Sequence, residues 1–167
     1  MTQSDIKKIV ENLIQTFLDA GKISIDLRKK GLTKEIKSDN TPVSNGDLEV
    51  NKILSKKILS LTPNIPIVSE ETSENKSKNN LENFWLIDPI DGTYDYINDL
   101  DEFTINAGLI IQKKPVAGLI YAPAKNRMFY SYGDDFSFEL INGEPIKLDN
   151  SKNFNENEIK FVSYSNK

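Results

Sequence analysis

Apolar side chains recur at helical spacing in the first part of the chain. These positions are Ile6, Ile9, Val10, Leu13, Ile14, Phe17 and Leu18. A repeat of three or four residues is typical of an amphipathic helix. Ser4 is the expected N-cap, and the helix is expected to continue past Ala20 toward Leu27 and to stop at Gly31. An extended piece, EIKSDN, then leads into a predicted turn around Pro42.

A second helical pattern starts at Ser44. Asp47 follows three positions later, in the first turn, where an acid favours a helix start. The apolar stripe consists of Val50, Ile53, Leu54, Ile58 and Leu61. Pro63 ends this predicted helix, because proline cannot continue the backbone hydrogen bonding.

After Pro63 the pattern changes to short apolar or alternating runs, which are typical of strands. The runs are IPIVS, FWLI, TINAGLIIQ, VAGLIYA, MFYSY, FSFEL, PIKL and EIKFVSY. Lys113-Lys114-Pro115 and Asn142-Gly143 are the predicted turns, while TSENKSKNN and NSKNFNENE are predicted loops. Two helices followed by a mostly antiparallel sheet indicate an α+β fold. The length favours one domain spanning residues 1–167.

Composition narrows the possible partners. The chain is 38% hydrophobic and 28% charged, which is ordinary for a globular protein. Its formal net charge of −4 gives no indication of binding to a nucleic acid polymer. The start of the chain shows no signal-peptide pattern, and no apolar run is long enough to span a bilayer. We therefore expect a cytoplasmic protein without a membrane span.

Two residue types are missing from the sequence. There is no cysteine and no histidine. These absences exclude thiolate catalysis, Cys-based zinc sites, Ser-His triads and imidazole metal ligands. Any hydrolytic chemistry must therefore use carboxylates, hydroxyls, backbone groups and hard metal ions; otherwise the chain is not an enzyme.

Acidic residues follow two neighbouring apolar runs. IPIVS ends at Glu70-Glu71, FWLI ends at Asp88, and Asp91 lies one tight turn further on. Strands that stop at the same sheet edge would bring these acids together, and clustered carboxylates usually hold a cation. Oxygen ligands alone favour Mg²⁺, Mn²⁺ or Ca²⁺, and the carbonyl of Ile90 would add one more oxygen.

Gly92 and Thr93 follow these acids and can begin a short helix, YDYIND. Amides at a helix start attract anions, so acids followed by such a start suggest metal-assisted hydrolysis of a phosphate ester. Each element also has a structural interpretation. Glu70-Glu71 fits an acidic loop, the D-P-I-D-G string fits a turn, Asp47 fits a helix-start acid and Thr93 fits an N-cap.

Five segments, in this order and spacing, resemble the inositol monophosphatase superfamily. They are KSDNTPVSNGD, PIVSEE, WLIDPIDGTYDYI, DEFTINAGLI and GLIYAP. Within that superfamily they look most like the CysQ-type 3′(2′),5′-bisphosphate nucleotidases, because of the S-E-E pair, the D-N-T-P-V stretch and the EFTINAGLI strand. The resemblance implies a layered α/β sandwich, of which this chain forms the N-terminal α+β half.

The resemblance also implies roles for individual residues. Glu70, Asp88, Asp91 and the Ile90 carbonyl would be ligands of two or three Mg²⁺ ions, with Mn²⁺ as a substitute and Li⁺ as an inhibitor. The catalytic residues would be Asp47 and Thr93, which orient and deprotonate the attacking water, and Glu71, which supports that water or metal. The residues that bind substrate would be Glu70, Ile90, Asp91, Gly92 and Thr93, with the Gly92 and Thr93 amides on the scissile phosphate.

The implied substrate is a small phosphorylated nucleotide, adenosine 3′,5′-bisphosphate, which is hydrolysed to AMP and phosphate. Family members continue into a C-terminal α/β domain with a W-D-x-A-A motif, whereas Trp85 is the only tryptophan here. We therefore expect that domain to be absent, and expect a sheet face left open to self-association or to a partner chain. Two alternatives stay open: an inositol monophosphatase or other sugar phosphatase, and a non-catalytic fragment that needs a partner.

Overall fold

A computed structural model describes residues 1–36, 42–72 and 80–148 of the chain. Four sequence expectations fall wholly or partly outside these ranges. The last strand, EIKFVSY, and the NSKNFNENE loop lie beyond residue 148. Most of the TSENKSKNN loop and the second half of EIKSDN are also outside the described residues.

The first helix, α1, runs from Gln3 to Lys30. Its N-cap is Thr2, so the expected cap at Ser4 is wrong. The Thr2 hydroxyl accepts from the Asp5 amide at 3.2 Å, and the Asp5 carboxylate accepts from the Thr2 amide at 2.9 Å. This reciprocal capping box satisfies two helix-start donors and moves the start two residues earlier. The predicted stop is confirmed, because Gly31 ends the helix with φ of 95°.

A small hairpin precedes the second helix. Strand β1 covers Lys34–Ile36 and pairs antiparallel with β2, Pro42–Ser44. Pro42 itself begins an edge strand, where its missing N–H costs no ladder bond, and the residues before it, over which the expected turn would run, lie outside the described ranges. Helix α2, Asn45–Leu61, follows directly, and the expected capping by Ser44 with Asp47 is confirmed.

Within the described ranges, seven strands form one sheet in sequence order. They are β3 (Ile67–Ser69), β4 (Phe84–Asp91), β5 (Thr104–Ile111), β6 (Lys114–Ala122), β7 (Arg127–Tyr132), β8 (Ser137–Ile141) and β9 (Glu144–Lys147). Only the first pair, β3 with β4, is parallel; every later pair is antiparallel. A short helix α3, Thr93–Ile97, connects β4 to β5. The α+β expectation is confirmed.

Two tight turns set the register of the meander. Asn142-Gly143 joins β8 to β9 with φ of 54° and 85°, as predicted. The turn expected at Lys113-Lys114-Pro115 instead uses Gln112 and Lys113, with φ of 51° and 62°. Two consecutive positive φ values match the right-handed twist of a hairpin, which a two-residue loop can follow. Lys114 and Pro115 consequently belong to β6.

The core lies between the two long helices and one face of the sheet. Side chains that are fully buried there come from both layers: Val10, Leu13, Phe17, Val50, Leu54, Ile58, Trp85, Ile105, Leu109 and Leu119. The opposite face of the sheet carries no helix among the described residues. It leaves Leu86 and Ile120 about half exposed, at 51% and 49%. We call this surface, from Leu86 across Ile120 to Phe129, the open face.

The long helices are too polar to be membrane spans. Across the described part of the chain, no helix combines the length and the apolar character needed to cross a bilayer.

We expect truncation of a core leucine to test the packing of α2 on the sheet. Leu54 is fully buried, so Leu54→Ala should lower the free energy of unfolding by about 2–5 kcal/mol through lost burial and a residual cavity. Leu59, on the same helix, is 46% exposed, and Leu59→Ala should change it by about 0.5 kcal/mol or less. Urea denaturation followed by fluorescence of the single, buried Trp85 measures both. Equal losses in the two variants would contradict this packing.

Candidate active site

The acids after IPIVS and FWLI come together because β3 and β4 are parallel neighbours. Ser69 lies opposite Ile87 in the register, and the Glu70 amide donates to the Ile87 carbonyl at 3.1 Å. Glu70 and Asp88 therefore follow directly after paired positions on adjacent strands. The juxtaposition expected from the sequence is confirmed.

A buried hydrogen-bond chain fixes the turn that carries the glutamates. The Ser69 hydroxyl donates to the Asn51 side-chain oxygen at 2.7 Å, and it accepts from the Glu71 amide at 3.2 Å. Asn51 lies on α2 and is 9% exposed. Ser69 therefore ties the Glu70-Glu71 turn to the helix that also carries Asp47. Asn51 and Ser69 were missed by the sequence reasoning, because only the fold brings them together.

A β-bulge places Asp88 and Asp91 on the same face of the sheet. In a regular strand, residues three apart point to opposite faces. Here Asp88 is paired with Asn106 and Asp91 with Thr104, so two residues of β4 oppose the single residue Ile105. The extra residue returns Asp88 and Asp91 to the same face of the sheet. The expected strand end at Asp88 is wrong, since β4 continues through this bulge to Asp91.

Asn106 is a third residue that the sequence reasoning missed. Its side-chain amide nitrogen donates to Asp91 Oδ2 at 3.1 Å. This bond fixes one oxygen of an otherwise exposed carboxylate. The side-chain oxygens Asn106 Oδ1 and Asp88 Oδ1 are both buried without a hydrogen-bond partner among the described residues. Because Asp88 and Asn106 are direct cross-strand partners, these two acceptors belong to one small region of the open face.

The environment of Asp88 disfavours its charged form. Burial, reinforced by the charges of Glu70 and Asp91, raises the pKa of Asp88 to about 7. A smaller contribution of the same sign comes from Asp47. All of these contributions act in one direction, because a negative charge nearby disfavours the charged form of a carboxyl group.

Asp47 is buried but fully supported by donors. It is 1% exposed. Its Oδ2 accepts from the Ser44 amide at 2.8 Å and from the Ser44 hydroxyl at 2.6 Å. Its Oδ1 lies 3.2 Å from the Thr93 hydroxyl. These contacts allow a buried carboxylate at the start of α2, where the helix dipole also favours negative charge.

Thr93 joins Asp47 to the D-P-I-D-G turn. Its hydroxyl lies 2.9 Å from the Ile90 carbonyl oxygen and 3.2 Å from Asp47 Oδ1. A hydroxyl has one proton, so Thr93 donates to one of these acceptors at a time. The pairing of Asp47 with Thr93 that the resemblance implied is thus present in the geometry. Thr93 is the first residue of α3, not its cap, because Gly92 occupies the N-cap position.

Gly92 permits the sharp exit from β4. Its φ is 88°, in the left-handed region that glycine tolerates. A Cβ at this position would lie 2.7 Å from the Glu102 carbonyl oxygen. The turn opens onto a hollow of about 470 Å³ that is lined by Asp91, Gly92, Asp95, Glu102 and Thr104. Space for a ligand therefore adjoins the acids and the first turn of α3.

These residues fit a hard cation, although no three acids in the described ranges form a preassembled metal cage. The donor set consists entirely of oxygens, from Glu70, Asp88, Asp91 and the Ile90 carbonyl. The unpartnered Asp88 Oδ1 needs either a proton or a positive charge. Mg²⁺ is held by one or two carboxylates, with waters and substrate phosphate completing its shell, so a complete protein cage is not required.

The chain belongs to the inositol monophosphatase family, whose model matches residues 5–167. A curated relative, the 3′(2′),5′-bisphosphate nucleotidase CysQ of Haemophilus influenzae, is 35% identical over 144 residues. That match covers 85% of this chain and 51% of the relative. The chain thus spans about half the length of the curated relatives it matches.

Solved structures of the family share the fold. The extragenic suppressor protein SuhB of Bartonella henselae superposes with a TM-score of 0.71 at 23% identity, over 79% of this chain and 52% of that one. An IMPase/NADP phosphatase complexed with Mg²⁺ and phosphate gives a TM-score of 0.68 at 18% identity, over 83% and 52%. At these identities the likeness establishes the fold.

We expect Gly92→Ala to cost more stability than a matched glycine substitution elsewhere. Gly143 has a similar φ of 85° but no atom within 4 Å of an added Cβ, so Gly143→Ala should cost about 1–2 kcal/mol of left-handed strain. Gly92→Ala adds the overlap with the Glu102 carbonyl and should cost about 2–5 kcal/mol. Urea denaturation of both variants measures the difference. Equal costs would show that the close approach of Glu102 is not constraining.

Proposed function

We propose that this chain carries the metal-binding half of the active site of a Mg²⁺-dependent phosphomonoester hydrolase. The proposed substrate is a 3′(2′),5′-bisphosphate nucleotide, with adenosine 3′,5′-bisphosphate converted to AMP and phosphate. The observation that carries this proposal is the placement of Glu70 and Asp88 on adjacent parallel strands, with Asp91 on the same face of the sheet as Asp88 and the Asp47–Thr93 pair at the turn that follows. The CysQ relative supports the choice of substrate.

The carboxylates would hold the cation and leave room for substrate. Glu70, Asp88 and Asp91 supply negative charge from two adjacent strands, and the Ile90 carbonyl lies between the aspartates. When bound, Mg²⁺ supplies Lewis acidity at the phosphoryl group and lowers the pKa of a bound water. Asn106 would keep Asp91 oriented by its hydrogen bond to Oδ2.

The Asp47–Thr93 pair would handle the proton of the attacking water. The Thr93 oxygen retains lone pairs that can accept a water proton while its own proton passes toward Asp47 Oδ1. The two Ser44 bonds hold Asp47 with that oxygen directed at Thr93. Glu71, on the turn fixed by Ser69, would support the same water. The Gly92 and Thr93 amides would hold the scissile phosphate at the start of α3.

Phosphate release from two substrates tests which leaving group the site accepts. Phosphate release by the chain should be measured at millimolar Mg²⁺ with adenosine 3′,5′-bisphosphate and with inositol 1-phosphate. We expect faster release from the bisphosphate. Faster release from inositol phosphate would favour a sugar phosphatase. Release from neither, with Mg²⁺ bound, would indicate a metal-binding half that needs a further segment or partner.

We expect Asp91→Asn to weaken Mg²⁺ binding and to remove phosphatase activity without unfolding the chain. Asp91 is exposed, and the substitution removes a ligand charge from a turn rather than from the core. Isothermal titration with Mg²⁺ measures affinity, and thermal denaturation checks the fold. Asp135→Asn, at another exposed aspartate, is the control and should leave both unchanged. Equal Mg²⁺ affinity in Asp91→Asn and parent would overturn the metal assignment.

A further inference from the structure

Tyr96 is a buried tyrosine behind the Asp47–Thr93 pair. It lies on α3, three residues after Thr93, and is fully shielded from solvent. Its hydroxyl donates to the Ser24 carbonyl of α1 at 2.7 Å. Its ring lies 4.9 Å, centroid to centroid, from the ring of Phe103. The Tyr96 side chain is therefore held at its hydroxyl by α1 and along its ring by Phe103, the residue directly before β5.

Gly46 is the residue of α2 that faces this ring. A Cβ added to Gly46 would overlap the Tyr96 hydroxyl oxygen, and it would lie 2.7 Å and 2.8 Å from the ring atoms Cε1 and Cζ. The backbone of Gly46 does not require glycine, because its φ is outside the left-handed region. The short distance to Tyr96 is therefore the reason for a glycine at position 46. The first turn of α2 can approach α3 this closely only because residue 46 has no Cβ.

This contact stands one residue from Asp47. The Thr93 hydroxyl is 3.2 Å from Asp47 Oδ1, which is long for an O–H···O bond, and 2.9 Å from the competing Ile90 carbonyl. Both acceptors lie within reach of the hydroxyl, so a displacement of α2 away from α3 would lengthen the contact with Asp47 and leave the Ile90 carbonyl as the acceptor.

We propose that Tyr96 and Gly46 are a matched pair that sets the distance between Asp47 and Thr93, which makes Tyr96 a positioning residue. The inference rests on the proposed function, in which Thr93 passes a proton to Asp47. Neither Tyr96 nor Gly46 lines the hollow beside Asp91, so both act through the Asp47–Thr93 pair. Enlarging residue 46 pushes the first turn of α2 from α3, and the Thr93 hydroxyl then donates to Ile90.

The test combines Gly46→Ala with Tyr96→Phe. We expect Gly46→Ala to lower kcat by about 10–100-fold while KM and Mg²⁺ affinity stay near the parent values. In the Tyr96→Phe background the closest atom is gone and the ring is no longer anchored to the Ser24 carbonyl, so it can shift from the new methyl and the loss in kcat should be at least about threefold smaller. Gly118→Ala, whose Cβ meets only Ser131 Oγ at 3.7 Å, and Tyr130→Phe, a buried tyrosine far from the pair, are matched controls.

Crystal structures of parent and Gly46→Ala give a readout independent of activity. We expect the Thr93 Oγ1–Asp47 Oδ1 distance to exceed hydrogen-bond range in the variant and the Thr93–Ile90 bond to persist. An unchanged distance, or an equal loss of kcat with and without the Tyr96→Phe substitution, would overturn the proposal. If Gly46→Ala does not fold, Tyr96→Leu replaces it as the test variant. A kcat of Tyr96→Leu equal to that of the parent would overturn the proposal. A parent without turnover counts against activity of this chain alone, whereas the distance comparison still decides the pairing.

Discussion

Between Asp88 and Asp91, β4 carries two residues where β5 carries one, and this bulge decides which face each carboxylate occupies. Without it, the alternation of a strand would send one aspartate into the core and the other outward. With it, both side chains lie on the face that also carries Asn106, while Ile90 is buried on the other side. Pro89 is compatible with the bulge because it has no N–H to contribute to the ladder. The acid cluster depends on this local irregularity.

The buried Asp47 and the partly buried Asp88 are stabilised in different ways. Asp47 is surrounded by donors from Ser44 and Thr93, so the protein itself compensates for its charge. Asp88 has one oxygen without a donor among the described residues and lies beside Glu70 and Asp91, which raise its pKa. Burial of a carboxylate without a partner is costly, so Asp88 needs a proton or a cation. The contrast separates a carboxylate whose charge the protein compensates from one that keeps an oxygen for a proton or a cation.

The helical layer supports the cluster from one side, and the open face leaves it accessible from the other. Ser69 is bonded to Asn51 of α2, and Tyr96 is bonded to α1 and packed against α2. Both supports come from the core side of the sheet. On the open face, Leu86 and Ile120 remain about half exposed, in a chain that spans about half the length of its curated relatives.

The sequence by itself determined the two long helices, the order of the strands from IPIVS to PIKL and the grouping of acids after two apolar runs. These features depend on periodicity, on capping residues such as Ser44 and on turn residues such as Asn142-Gly143, all of which act over a few positions. It did not determine the bulge in β4 or the bond from Asn106 to Asp91. The bulge and that bond require the pairing of β4 with β5, which joins residues distant in the chain. Only the tertiary structure decided the bulge and the bond, because the register of β4 against β5 and the face of each side chain become defined when the strands pair.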